Sequence, residues 1–135
     1  MSFNLVDARR NLDYLVQHHF PELKEKSIRV NRFSFKRQGM AGITYSNPSG
    51  NGFKVCVDEI FLLKSDENTL RGLLAHELGH VKQMVFLGLL SRPLYTIIKK
   101  FGKLNDWYEK MADKIAEKKG CSVYLHSLDA YFSMQ

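Results

Sequence analysis

Apolar residues in the first part of the chain, Leu5, Ala8, Leu12, Leu15, Val16 and Phe20, recur every three or four positions. That spacing predicts an amphipathic helix over 3–20, closed by Pro21. The period then changes. Residues 28–35 (IRVNRFSF) alternate as a strand does, with a phase change between Val30 and Phe33 that predicts a bulge. Residues 41–46 and 53–58 are two more strand-like runs. They flank Asn47-Pro48-Ser49-Gly50-Asn51-Gly52, a stretch dense in turn formers, and together predict a hairpin. Helical spacing returns at Leu70, Leu73, Leu74, Leu78, Val81 and Val85. Ser65 and Asp66 are cap candidates for this helix, and Asp66 and Glu67 suit its positive end. The apolar run from Met84 to Ile98 is broken by Gly88, Ser91, Arg92 and Pro93. It is too short to span a bilayer and predicts the end of one helix, a loop and a following buried helix. A further helix is predicted over 105–116: Asn105 or Asp106 caps it, Trp107, Met111 and Ile115 repeat at i+4, and Gly120 ends it.

Alternation followed by helical periodicity predicts an α+β fold. It has an N-terminal helix, a small, mostly antiparallel sheet of about three strands, and at least two later helices. After Gly120 the composition shifts. Residues 121–135 carry Asp129 as their one charged residue, yet Tyr124, Leu125, Leu128, Tyr131 and Phe132 keep helix-like spacing. We therefore expect a domain over 1–120 and a C-terminal segment over 121–135 docked on it.

The chemistry is concentrated in His76-Glu77-Leu78-Gly79-His80. On a helix, residues four apart lie nearly above one another, so His76 and His80 can hold one Zn²⁺ through their imidazoles. Glu77 projects from the adjacent edge of that face, within reach of a water to be deprotonated. The plain alternative is an amphipathic helix that carries two histidines by coincidence. A catalytic zinc usually has three protein ligands, so a third is required from downstream. Glu109 is the best candidate. Asp113, one turn on, can accept the other ring N–H of His76 or His80. Ala112 and Ala116 on that face, and Gly79 on the other helix, are small enough for close approach.

H-E-x-x-H followed by E-x-x-A-D resembles the pattern of gluzincin metallopeptidases: His76, Glu77 and His80, then Glu109, Ala112 and Asp113. The short interval between the motifs makes the chain most similar to the minigluzincins, a compact soluble branch. The likeness is specific over 70–117 and only architectural over 1–64. It implies a zincin-like fold and a Zn²⁺-dependent metallopeptidase that hydrolyses peptide bonds. His76, His80 and Glu109 would be metal ligands, Glu77 the general base, and Asp113 the outer partner. It also implies a sheet whose edge strand binds an extended peptide by β-augmentation; the pattern does not say which strand is the edge. Minigluzincins resemble zymogens, so the C-terminal segment is expected either to complete the core or to lie in the cleft. Cys121, His126 or Asp129 would then approach the zinc. The oxyanion donor is open among Tyr95, Tyr108, Tyr124, His126 and Tyr131. Two alternatives stand beside this reading: a catalytically silent zinc-binding interaction module, and a regulatory protease acting on a transcriptional repressor.

Bulk properties narrow the setting. The 135 residues suffice for one core without disulfides. The formal charge of +6 invites nucleic acid, but the basic residues are scattered and no recognition cluster appears, so specific nucleic-acid binding is not expected. Asp7, Arg9 and Arg10 interrupt the first apolar residues, unlike a signal peptide, and the two cysteines, Cys56 and Cys121, read as packed thiols. The expectation is a cytoplasmic monomer or small homo-oligomer that meets a peptide or protein substrate. No transmembrane segment is expected and a peripheral membrane contact is not favoured. His18 and His19, adjacent at a helix end, diverge too far to share a metal and suit the helix C-terminus.

Overall fold

A computed structural model describes residues 3–35, 40–47 and 52–134. Helix α1 (Leu5–His18) leads through a 3-10 turn (Pro21–Leu23) to strand β1 (Ser27–Phe33). Strands β2 (Gly42–Ser46) and β3 (Gly52–Asp58) precede a short helix α2 (Glu59–Lys64) and the long helix α3 (Glu67–Leu87). A 3-10 turn (Gly88–Leu90), α4 (Ser91–Lys100), α5 (Gly102–Lys118) and α6 (Ser122–Ser133) complete the α+β architecture.

α1 opens with a capping box. Asn4 Oδ1 accepts from the Asp7 amide and Asp7 Oδ2 accepts from the Asn4 amide, both at 3.0 Å. Ala8, Leu12 and Leu15 face the core. Beyond its end, the His19 ring bonds the Lys119 carbonyl oxygen at 2.9 Å. This histidine therefore serves the C-terminus of α5, while His18 lies against Tyr14 with ring centroids 4.4 Å apart.

The sheet corrects two expectations. Its order is β1-β3-β2, with β3 antiparallel to β2 but parallel to β1, so it is mixed rather than mostly antiparallel. The cause is β3, which buries Phe53, Val55, Cys56 and Val57 on both of its faces and so takes the central place. β1 pairs with it in one unbroken register from Ser27↔Gly52 to Phe33↔Asp58, without the expected bulge. Val30 points inward, whereas Phe33 is exposed and stacks on Phe35. The phase change marks a strand leaving the core. The β2–β3 hairpin forms as expected and is closed by Asn47 N–H to the Gly52 carbonyl at 2.8 Å; turn residues 48–51 lie outside the described residues.

α2 was not foreseen. Asp58 makes it possible: one carboxylate oxygen caps the Phe61 amide at 3.1 Å and the other accepts from the Phe35 amide at 3.0 Å. α3 starts at Asp66, as expected, whose side chain accepts from the Thr69 amide at 2.8 Å. α3 is the axis of the molecule, burying Leu70, Leu73, Leu74, Ala75, Leu78 and Val81 against α1, β2, α5 and α6. Two glycines permit this crowding. A Cβ at Gly79 would strike the Ala112 carbonyl of α5, and one at Gly72 would strike the Tyr124 carbonyl of α6.

α4 departs from expectation. Pro93 sits within its first turn, where a missing N–H costs nothing, so the helix begins at Ser91. It is not a buried helix, since Ser91 is its one buried residue. α5 begins at Gly102, before the predicted caps Asn105 and Asp106, and no side chain caps it; Gly120 stands just past its end. α6 packs on α3 through Leu125 and Leu128, with Cys121 fully buried beneath its first turn. Among the described residues, no helix is long and apolar enough to cross a membrane.

Candidate metal centre

α3 and α5 bring the two motifs together. Because Gly79 and Ala112 let the helices touch, Glu109 reaches across to the imidazoles one turn apart on α3. His76 Nε2 and His80 Nε2 each lie 2.8 Å from the same oxygen, Glu109 Oε2. The three donor atoms lie within 4.8 Å of one another, a grouping able to hold a metal ion.

Each ring is fixed from behind. His76 Nδ1–H donates to Asp113 Oδ1 at 2.6 Å, the role expected of that carboxylate. His80 Nδ1–H donates to Gln83 Oε1 at 2.7 Å, and Gln83 Nε2 in turn donates to the Tyr108 carbonyl at 2.9 Å. Both Nε2 atoms are thereby directed at the shared point. The His80 ring also stacks on Tyr108 with centroids 4.7 Å apart.

Burial pulls the His76 pKa down, but its bonds to Asp113 and Glu109 outweigh this and raise it to about 10. Burial likewise pushes Glu109 up, and the two histidines more than reverse it, holding the carboxyl well below the usual carboxylate range. A metal ion entering here would take the place of a proton on the same atoms. Two neutral nitrogens and one carboxylate oxygen, with the opposite ring nitrogens anchored, suit a divalent transition metal.

Glu77 is buried alongside, 2 % exposed, and its Oε1 accepts from Thr44 Oγ1 at 2.7 Å. Thr44 lies on β2, so the edge strand and the α3 motif are tied at this carboxylate. A cleft of about 280 Å³ opens over the triad, lined by Gly42, Leu73, His76, Glu77, Leu128 and Phe132 among others. A smaller space of about 70 Å³ shares His76, Glu77 and Glu109 and is walled by Thr44, Tyr95, Lys99 and Tyr108. Lys99 Nζ donates to Glu109 Oε1 at 3.2 Å, which leaves Oε2 to the histidines. Burial and nearby acidic groups push Tyr95 up to about 12; Tyr108 is pushed up further, chiefly by burial.

The structure thus brings His76, Glu77, His80, Glu109 and Asp113 together. It does not bring the three tail candidates to the cluster. Cys121 is buried in the core, where burial lifts its thiol to about 11, and His126 and Asp129 are exposed on α6. α6 instead reaches the cleft with the apolar Leu128 and Phe132. Of the five oxyanion candidates, Tyr95 and Tyr108 line the space beside the triad. Sequence reasoning missed Gln83, Thr44 and Lys99. Gln83 carried a signal, since it lies three residues after His80 on the same helix face. Thr44 and Lys99 carried none, because their place depends on the packing of β2 and α4.

No protein-family model matches the chain, and neither the curated proteins nor the solved structures contain a significant match.

Proposed function

We propose that the chain is a zinc-dependent metallopeptidase of gluzincin type. The observation that carries this reading is the convergence of His76 Nε2 and His80 Nε2 on one oxygen of Glu109, with the Glu77 carboxylate buried beside them. Zinc in this set would polarise a scissile carbonyl and lower the pKa of a water. Glu77 accepts the proton from the attacking water and delivers it to the leaving amine. Thr44 holds one oxygen of Glu77 and leaves the other for that exchange. Asp113 and Gln83 keep the rings in the tautomer that presents Nε2. Tyr95 and Tyr108 line the space beside the triad, and we assign the oxyanion donor to one of these two.

The open side of the site favours catalysis over a closed structural metal. Three donors converge, and no fourth His, Cys, Asp or Glu joins them among the described residues. β2 is an edge strand in the β1-β3-β2 order, and its Gly42, Ile43 and Thr44 line the space beside the triad. An extended peptide adding to that edge would pass over Glu77.

Latency has a specific observation behind it, though not the expected one. Leu128 and Phe132 wall the cleft, so α6 would hinder entry by bulk rather than by ligating the metal.

The decisive comparison is Glu77→Gln against the parent, assayed on a denatured protein substrate with metal content measured on the same samples. The variant is expected to keep stoichiometric zinc and lose at least about a thousandfold in turnover, the range of a lost general base together with its positioning role. Hydrolysis at the parent's rate would dismiss the mechanism. A parent that binds zinc and cleaves nothing, even after Phe132→Ala, would favour a silent binding module.

A further inference from the structure

The helical hairpin beyond the metal centre leaves a large apolar surface open. A groove of about 670 Å³ runs between the end of α3, α4 and α5, lined by Val85, Phe86, Leu94, Ile98, Trp107 and Met111 among others. Helical spacing extends its walls: Leu94, Ile97 and Ile98 form one stripe on α4, with the exposed Phe101 just past its end, and Leu104, Trp107, Met111 and Ile115 form one on α5. Phe86 is 88 % exposed and Trp107 is 56 % exposed, values far outside those of a satisfied core. Single exposed apolar residues need no explanation, but a contiguous patch of this kind marks a contact surface.

The cations carried by the two helices that wall the groove identify the chemistry of what it meets. Between positions 82 and 110 the chain carries Lys82, Arg92, Lys99, Lys100, Lys103 and Lys110 against Asp106 and Glu109. Lys82 is paired with Glu22, and Lys99 with Glu109. Arg92, Lys100, Lys103 and Lys110 are exposed and form no ion pair among the described residues. A symmetric contact between two copies would bring two surfaces of the same net positive charge together. An anionic surface would neutralise them instead. Exposed aromatics and aliphatics on helices that also carry exposed lysines are the composition of a helix that lies in the lipid headgroup region, its apolar side sunk toward the acyl chains.

We propose that the α4–α5 hairpin is a peripheral docking surface for an anionic phospholipid bilayer, with Phe86, Phe101 and Trp107 entering the interface and Lys100 and Lys103 meeting the headgroups. The expectation from sequence did not favour membrane contact because it placed the second half of the 84–98 run in the core. The exposure of α4 removes that ground. The inference stands apart from the peptidase reading, since it uses neither the metal nor turnover.

Trp107 is the sole tryptophan of the chain, so its fluorescence reports this surface alone. The full-length protein is titrated with vesicles of phosphatidylcholine containing phosphatidylserine, and with phosphatidylcholine alone, and sedimentation is followed in parallel. On the anionic vesicles, co-sedimentation is expected together with a blue shift of Trp107 and its quenching by brominated acyl chains. Binding should weaken with salt, and by about tenfold or more in the double variant Lys100→Gln/Lys103→Gln, given the contribution of each lysine near a charged leaflet. Failure to sediment at either composition overturns the proposal and leaves the surface to a protein partner. Sedimentation without any change at Trp107 also overturns it, since the general positive charge would then be acting through another face. A blue shift that grows with protein concentration in the absence of lipid assigns the patch to self-association.

Discussion

Glu109 is the meeting point of three other side chains, and its two oxygens are divided between them. Oε2 faces both imidazoles and Oε1 faces Lys99. Behind the imidazoles, Asp113 and Gln83 fix ring orientation. Asp113→Asn keeps the shape but weakens the acceptor. We expect it to lower zinc affinity by about 10–100-fold with the melting transition little changed, as measured by competition with a chromogenic chelator. Proton release gives a second check. The raised pKa of His76, about 10, means that the metal-free ring is protonated across the neutral range. A zinc ion bound through Nε2 would displace that proton, so loading at pH 7 to 8 should acidify a weakly buffered solution by about one proton per ion or more. Affinity should therefore rise with pH until about 10; binding with no proton released would contradict the assigned contacts. His76, Glu77, His80, Glu109 and Asp113 were legible in the sequence because their spacing on two helices already sets their faces. Thr44 was not, because a threonine in a strand has many ordinary reasons to be there.

The elements that carry the site depend on one close helix crossing. Gly79 lies against the backbone of Ala112, so the distance between α3 and α5 is set by a missing side chain. Gly79→Val should force the helices apart. The expected cost is about 1–3 kcal/mol in chemical denaturation, with a loss of zinc affinity beyond what the stability change alone would cause, because Glu109 rides on the displaced helix. An unchanged affinity would mean that the carboxylate reaches the histidines by another route. Helical periodicity foretold α1, α3 and α5 and the amphipathic character of α6. It failed for α2, which is too short to show a period and exists because Asp58 caps it. It also misjudged α4, whose apolar residues suggested burial when they line an open groove. Pairing direction was beyond it too: alternation reveals that a strand exists, while the insertion of β3 between β1 and β2 follows from competition for the centre of the sheet.

At the scale of the molecule, α3 is gripped from several sides and the last helix completes the grip. α6 covers Gly72, contributes Leu125 and Leu128 to the core, and extends Phe132 over the cleft. Arg71 links three helices by bonding Asn11 at 2.8 Å and lying 4.0 Å over the Tyr14 ring and 5.5 Å from the Tyr124 ring centroid. Removing everything after Gly120 would thus strip buried side chains as well as unblock the site. Phe132→Ala separates the two effects, since Phe132 is 37 % exposed. If α6 restrains the proposed peptidase activity, this variant should cleave peptides several-fold faster with unchanged zinc content and only a small fall in melting temperature; equal rates would assign α6 to the core alone.

The shared oxygen between two rings has a further consequence. Because hydrogen bonds already hold the three donors around a common point, the scaffold sets them close to where an ion would need them. An incoming ion would meet little reorganisation, and its departure would leave the scaffold standing. Unlike small domains that collapse when stripped of their metal, this chain would tolerate scarcity: a reversible pool of empty protein, ready to regain competence when supply returns.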